Sequence, residues 1–131
     1  MSASRVLLVD DEEAYVDVLC NRLRKRGFEV TKSYSGTEAL QKMRLDTFDV
    51  AVLDLKMPDM DGIEVLKILK SMAPEMEVIM LTGHGSATAC KQGIDLGAYD
   101  YLMKPCQFDD LVEKIRDASH KRQKETGPDP K

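Results

Sequence analysis

Residues Val50 to Gly62 read "VAVLDLKMPDMDG". The first four are apolar without polar alternation, the pattern of a strand buried on both faces. Asp54 then closes the run, with Asp59 and Asp61 close behind. Burial strips an ionisable group of its water, so a carboxylate at the end of the most hydrophobic strand needs a partner or a use. A second stretch, "RVLLVDDEE", passes just as abruptly from a strand-like run into Asp10, Asp11, Glu12 and Glu13.

Runs rich in β-branched residues predict strands at Arg5–Val9, 28–33, Val50–Asp54 and 78–81, with a weaker fifth at 99–103. Helical spacing fills the intervals. The first stripe is Tyr15, Val18, Leu19 and Leu23, stopped by Gly27. The second is Ala39, Leu40 and Met43, entered through Ser35 or Thr37. Ile63, Leu66 and Leu69 form the third, ending before Pro74. Phe108, Leu111, Val112 and Ile115 form the last, with Asp109 and Asp110 in a first turn that favours acids. The fourth, at 86–96, offers only Ala87, Cys90 and Ile94 around an internal Gly93. Glycine costs about 1 kcal/mol relative to alanine inside a helix, so this element is expected to be the least firmly held.

Strict β/α alternation implies a doubly wound α/β fold, a parallel sheet with helices on both faces. Five units with right-handed crossovers favour the flavodoxin-like strand order 2-1-3-4-5 and five helices. Ligands in such sheets sit beyond the carboxyl ends of the strands, here where the first and third strands adjoin. Asp10, Asp11 and Asp54 therefore converge on one crevice. Three clustered carboxylates repel one another unless a cation joins them, and an all-oxygen set suits a hard divalent ion, with Mg²⁺ favoured. Mg²⁺ is often completed by phosphate oxygens. Thr82 after the fourth strand and Lys104 after the fifth add a hydroxyl and an ammonium group. Together these make a constellation for phosphoryl transfer to a carboxylate.

At 131 residues the chain is one domain by length, and 43% hydrophobic with 32% charged residues is ordinary for a globular protein. With 19 Lys and Arg against 23 Asp and Glu the net charge is −4, so a whole-domain basic field for holding nucleic acid is absent. Local runs such as Arg22, Arg24, Lys25 and Arg26 read as solvated helix surface. Cys20, Cys90 and Cys106 form no C-x-x-C pair, against a disulfide framework or a zinc site and in keeping with a reducing cytoplasm. No apolar stretch is long enough to cross a bilayer, and the expected location is cytoplasmic. Periodicity fades from His120 onward, which places a domain at 4–120 and a disordered tail or linker at 121–131.

"LLVDDE", "VLDLKMPDMDG", "LTG" and "YLMKP", in this order and each at the end of a predicted strand, resemble the receiver domain of two-component response regulators, in particular the chemotaxis-regulator type. The resemblance covers roughly residues 4 to 120. It implies that Asp54 is the phosphoacceptor, taking a phosphoryl group from a sensor histidine kinase or a phosphotransfer protein. By the same resemblance Asp11 binds Mg²⁺ directly and Asp10 through water, while an Asp54 oxygen and the Lys56 backbone carbonyl complete the protein's share. Lys104 would pair with the phosphoryl group, Thr82 would donate to it, and Tyr101 matches the aromatic switch position. The Lys104–Pro105 bond is expected to be cis. Lys56 and His84 would flank the attacking water and set the phosphoryl lifetime. The expected protein is a phosphoacceptor signalling domain, catalysing only its own phosphorylation and dephosphorylation. Its output partner would meet the face made by the fourth helix, fifth strand and fifth helix, and a phosphorylation-dependent dimer is also open. "LTGHG" looks most like receivers attached to ATPase-type transcription activators.

Other readings compete for single residues. Asp61 before Gly62 reads as the cap of the third helix, and an EF-hand loop fails because its first ligand position falls on Met57. For Tyr101 a half-buried strand aromatic is the lesser alternative to the switch position, and His84 reads as a solvated loop residue. Cys106 departs from the bulky apolar residue usual after the Lys-Pro pair and reads as a small buried hydrophobe. A phosphatase resembling haloacid dehalogenases needs an acid where Lys56 stands. A cofactor-binding flavodoxin-type domain would meet a phosphate with "DDEE", which repels it.

Overall fold

The structure, a computed structural model, describes residues 3–83 and 87–126. Among these residues five strands alternate with five helices: β1 (Arg5–Val9), α1 (Glu13–Lys25), β2 (Glu29–Ser33), α2 (Gly36–Leu45), β3 (Val50–Asp54), α3 (Gly62–Met72), β4 (Glu77–Thr82), α4 (Ala87–Asp95), β5 (Asp100–Met103) and α5 (Phe108–Thr126). All four strand pairings are parallel, in the order β2-β1-β3-β4-β5. The alternation read from the sequence is thus realised as the expected doubly wound sheet.

Successive strand side chains point to opposite faces, and both faces here are apolar. Val6, Leu8, Val50, Val52, Ile79 and Leu81 pack with α1 and α5 on one side. Leu7, Val9, Ala51, Leu53, Val78 and Met80 form the other core with α2 and α3. Each large side chain withdrawn from water in this way stabilises the fold by roughly 1.5–3 kcal/mol.

The stripe predicted for α1 is corrected. Val16, Leu19, Cys20 and Leu23 are the buried residues, Tyr15 is half-buried, and Val18 is 59% exposed. A 3.6-residue period places positions i, i+3, i+4 and i+7 on one face, and Val18 lies about half a turn from Val16. Gly27 ends the helix with φ +96, a left-handed conformation suited to glycine, while Phe28 N–H reaches back to the Leu23 carbonyl (3.3 Å).

Ser35 rather than Thr37 caps α2, its hydroxyl accepting from the Glu38 N–H (3.0 Å). Asp61 caps α3 through the Ile63 N–H (3.1 Å), as the sequence indicated. Gly62 opens that helix pressed against the chain just after Asp54. A Cβ there would fall 2.4 Å from the Leu55 Cα.

The α4 stripe and the tail boundary also need revision. Gly93 loosens α4 by propensity, yet it also lets the helix approach β4, since a Cβ would stand 2.1 Å from the Met80 sulfur. Of the predicted α4 stripe Cys90 is buried, whereas Ala87 is exposed and Ile94 is 41% exposed. At the other end, residues 121–126 continue α5 as helix instead of beginning a tail. Charge carries the extension where apolar periodicity fades: Lys121 pairs with the buried Glu77 (3.1 Å) and Arg122 with Asp49 (3.2 Å) at the opening ends of β4 and β3. Residues 127–131 lie outside the described residues.

Because backbone cannot step aside as a flexible side chain can, Gly62→Ala is expected to destabilise the protein by about 2–3 kcal/mol. Urea unfolding measures this directly; an unchanged midpoint would mean the α3 entry tolerates a side chain.

Candidate functional site

The carboxyl ends of β1, β3, β4 and β5 meet in one crevice. Asp10 extends β1 by a residue, its N–H donating to the Ser33 carbonyl (3.1 Å). Its carboxyl group is 1% exposed, and Oδ1 accepts from the Glu12 N–H (3.0 Å). Asp54 ends β3, is 4% exposed, and accepts at Oδ1 from the Lys56 N–H (3.2 Å). Asp11 is exposed at the rim. One oxygen from each of Asp10, Asp11 and Asp54 lies within 4.8 Å of the others.

Lys104 closes the cluster from β5. Its N–H donates to the Thr82 carbonyl (2.7 Å), carrying the β4–β5 ladder beyond the strand, and the Lys104–Pro105 bond is cis. The ammonium group donates to Asp10 Oδ2 (2.8 Å) and Glu12 Oε1 (3.0 Å) and stands 3.8 Å from Asp54 Oδ2. It also lies 4.9 Å from the centre of the Tyr15 ring, whose phenol burial pushes up to about 12. Burial works against the ammonium, but the hydrogen bonds to Asp10 and Glu12 outweigh it and hold its proton above the ordinary lysine range.

Asp54 is pulled the other way from a usual paired acid. Loss of water and the adjacent Asp10 charge push its carboxyl up to about 6, against the Lys56 N–H and the Lys104 ammonium, which favour the anion. The anion is therefore costly to hold at this position, and added positive charge would relieve that cost.

The remaining predicted residues take distinct places. Thr82 is buried at the end of β4, one residue beyond Leu81, the register partner of Asp54. Tyr101 pairs in register with Met80 and is 40% exposed, on the α4 side of the sheet. The Lys56 side chain is exposed. His84 lies outside the described residues. Cys106 is half-buried and shares an open recess of about 350 Å³ with Glu12, Tyr15, Gly83, Lys104 and Pro105; burial raises its thiol pKa.

Glu12 and Tyr15 are site residues that the sequence reading did not single out. "DDEE" reads as an acid run, and only the fold shows that its third member faces Lys104. Asp59 stays apart from the cluster and binds the start of α2, by Oδ1 to the Gly36 N–H (3.2 Å) and by Oδ2 to the Thr37 N–H (3.0 Å).

Residues 6–116 match the model of the response regulator receiver domain. The chain belongs to that family. Among its relatives, the transcriptional regulatory protein ZraR of Salmonella typhimurium (strain LT2) is 37% identical over 123 residues, covering 93% of this chain and 27% of ZraR. The response regulator MprA of Mycobacterium ulcerans is 37% identical over 112 residues, 86% of this receiver and 48% of MprA. The receiver thus spans a quarter to a half of these relatives. In three dimensions it is similar to a CheY-like receiver domain protein from Methanospirillum hungatei, with a TM-score of 0.91 at 36% identity over 95% of this chain and 99% of the other. Among the described residues of this receiver no helix is long and apolar enough to cross a membrane.

An acid whose folded pKa is raised binds its proton more tightly when folded. Ionising Asp54 thus costs stability as pH climbs from its ordinary 3.8 through about 6. In metal-free protein Asp54→Asn should therefore raise the unfolding free energy at pH 7 by about 1–3 kcal/mol, with the gain fading towards pH 4. Denaturant titrations in chelator at both pH values check it; a loss of stability at pH 7 would contradict it.

Proposed function

We propose that this receiver is a phosphorylation-dependent switch that takes a phosphoryl group on Asp54 from the phosphohistidine of a sensor kinase or of a phosphotransfer protein. The observation that carries the reading is the buried Asp54 carboxylate within 4.8 Å of two further acids, with the Lys104 ammonium 3.8 Å away, at the strand ends of a receiver-family chain.

The donor set fits a hard divalent cation. Its three acids supply only oxygen, two are buried and one is open to water, and their mutual repulsion is relieved by added positive charge. Asp11, Asp54 and the Lys56 carbonyl would hold Mg²⁺, with Asp10 acting through water. When bound, Mg²⁺ neutralises phosphoryl charge and so lets an anionic nucleophile approach.

The protein's own groups account for the rest. A carboxylate oxygen of Asp54 attacks phosphorus, and the bond from phosphorus to the imidazole nitrogen breaks. The electron pair returns to the nitrogen, and the product is an aspartyl phosphate. The Lys56 N–H holds Oδ1 and orients the carboxylate. Lys104 turns from Asp10 and Glu12 towards the new phosphoryl oxygens, and Thr82 donates its hydroxyl to one of them. No general base is needed, because the nucleophile is already an anion.

Signalling follows if the phosphoryl group binds one arrangement of Thr82, Tyr101 and α4 better than another. The Tyr101 ring is exposed, and Ile94, Tyr101 and Met103 give the α4/β5/α5 face an apolar surface for an output partner. Alignment with transcriptional regulators such as ZraR supports an output in transcription.

Incubation with Mg²⁺ and acetyl phosphate, followed by intact-mass measurement, should give one phosphoryl adduct that requires Mg²⁺ and is lost in Asp54→Asn. An adduct that survives in the variant would move the acceptor elsewhere. Its absence from the wild type even with the kinase present would overturn the reading.

A further inference from the structure

Asp59 has no place in the chemistry above, yet its contacts reach far along the chain. Both carboxylate oxygens are committed to α2: Oδ1 accepts from the Gly36 N–H (3.2 Å), and Oδ2 accepts from the Thr37 N–H (3.0 Å) and hydroxyl (3.1 Å). The first N–H groups of a helix have no partner within it and carry partial positive charge. Ser35 takes the third of them through Glu38, so Asp59, 22 residues beyond Thr37, supplies the rest of the cap. Hydrogen bonds from the Thr37 and Gly36 backbone hold its carboxyl below the usual aspartate value, although burial opposes them.

What Asp59 secures is the loop between β3 and α3. This loop leaves directly from Asp54, and its second residue, Lys56, binds Asp54 through the backbone. Its base is closed by the Lys56–Asp61 bridge and by the approach of Gly62 to Leu55. Its far side lies against α2, where a Cβ on Gly36 would fall 3.1 Å from the Met60 sulfur. Between these fixed points Asp59 is the charged contact that sets where the loop rests.

We infer that Asp59 is a positioning residue for the phosphoryl-transfer site: its two-pronged bond to the α2 N-terminus holds the β3–α3 loop so that Lys56 presents its backbone to Asp54 and to the metal site. The inference rests on the function proposed above, since it assigns Lys56 a part in that site. It makes α2 a support for the reaction through Asp59.

The test compares wild type, Asp59→Ala, Asp59→Asn and Thr37→Pro in the full chain. Proline in the first helical turn is tolerated and removes both the N–H and the hydroxyl of Thr37 that Asp59 Oδ2 binds, leaving the Gly36 contact. Mg²⁺ affinity is measured by titration with Mg²⁺ alone, adduct formation with acetyl phosphate, and hydrogen exchange at the Lys56 amide. Loss of a supporting contact typically weakens metal binding about 10–100-fold. Asp59→Ala should therefore bind Mg²⁺ about ten-fold more weakly and expose the Lys56 amide to faster exchange, with Asn, which keeps one acceptor oxygen, in between. Thr37→Pro should shift both in the same direction.

A merely structural cap would lower the melting temperature while leaving Mg²⁺ affinity and Lys56 exchange as in the wild type, and that result overturns the inference. Should wild type neither bind Mg²⁺ nor form the adduct, the functional proposal falls by itself. Lys56 exchange then decides the loop contact: faster in Asp59→Ala upholds it, and unchanged exchange overturns it.

Discussion

Lys104 holds its ammonium group among carboxylates that would otherwise repel one another, 2.8 Å from Asp10, 3.0 Å from Glu12 and 3.8 Å from Asp54. Much of the fold can be read as the means of bringing these groups together. They come from positions 10, 12, 54 and 104, and only a parallel sheet whose strands all end on one side gathers them. The apolar cores on both faces fix the strand registers, and the registers place the acids. Because Asp10 and Asp54 are buried, their mutual repulsion is little screened by water, and the cation between them matters correspondingly more.

The same sheet carries a second set of charges at its opposite end, and the contrast is instructive. There Glu77 and Asp49 meet Lys121 and Arg122, while Asp49 also accepts from the Arg5 N–H (2.9 Å). In these two pairs each buried acid meets a basic side chain from α5. Ser4 and Ser119 add a hydroxyl pair at 2.6 Å. This end ties α5 to the strands. At the other end the acids outnumber the base, an imbalance that added positive charge would relieve.

The fold was legible because strand ends and the β/α alternation are local signals. Asp10, Asp54, Thr82 and Lys104 could be placed together once the strand order was inferred. What stayed hidden depends on distant partners. Val16 and Val18 both satisfy a loose helical stripe, and only packing on the sheet chooses between them. The continuation of α5 relies on acids at positions 49 and 77 that no window around residue 121 contains. Glu12 looks like one more acid until Lys104 is brought opposite it. Asp59 resembles a spare carboxylate beside the true cap, Asp61, because the helix it caps begins 23 residues earlier. Gly93 shows the same limit in another form: propensity sees the entropy it costs, and only the tertiary structure sees Met80 against it.

The uneven anchoring of the helices bears on how such a domain could switch. α1 and α5 each bury several large side chains against one face of the sheet, each contributing roughly 1.5–3 kcal/mol. α4 buries Cys90 and Gly93, which withdraw far less apolar area. Reversing a two-state population from 1:99 to 99:1 requires about 5.5 kcal/mol of differential binding. A single phosphoryl group making a few charge-assisted bonds can supply a sum of that order, but it cannot also dislodge a helix held by four or five buried aliphatics. Movement is therefore expected where resistance is least, at α4 and the exposed β5 edge beside it, while the α1 and α5 layer keeps β1 and β3, and with them Asp10 and Asp54, in register.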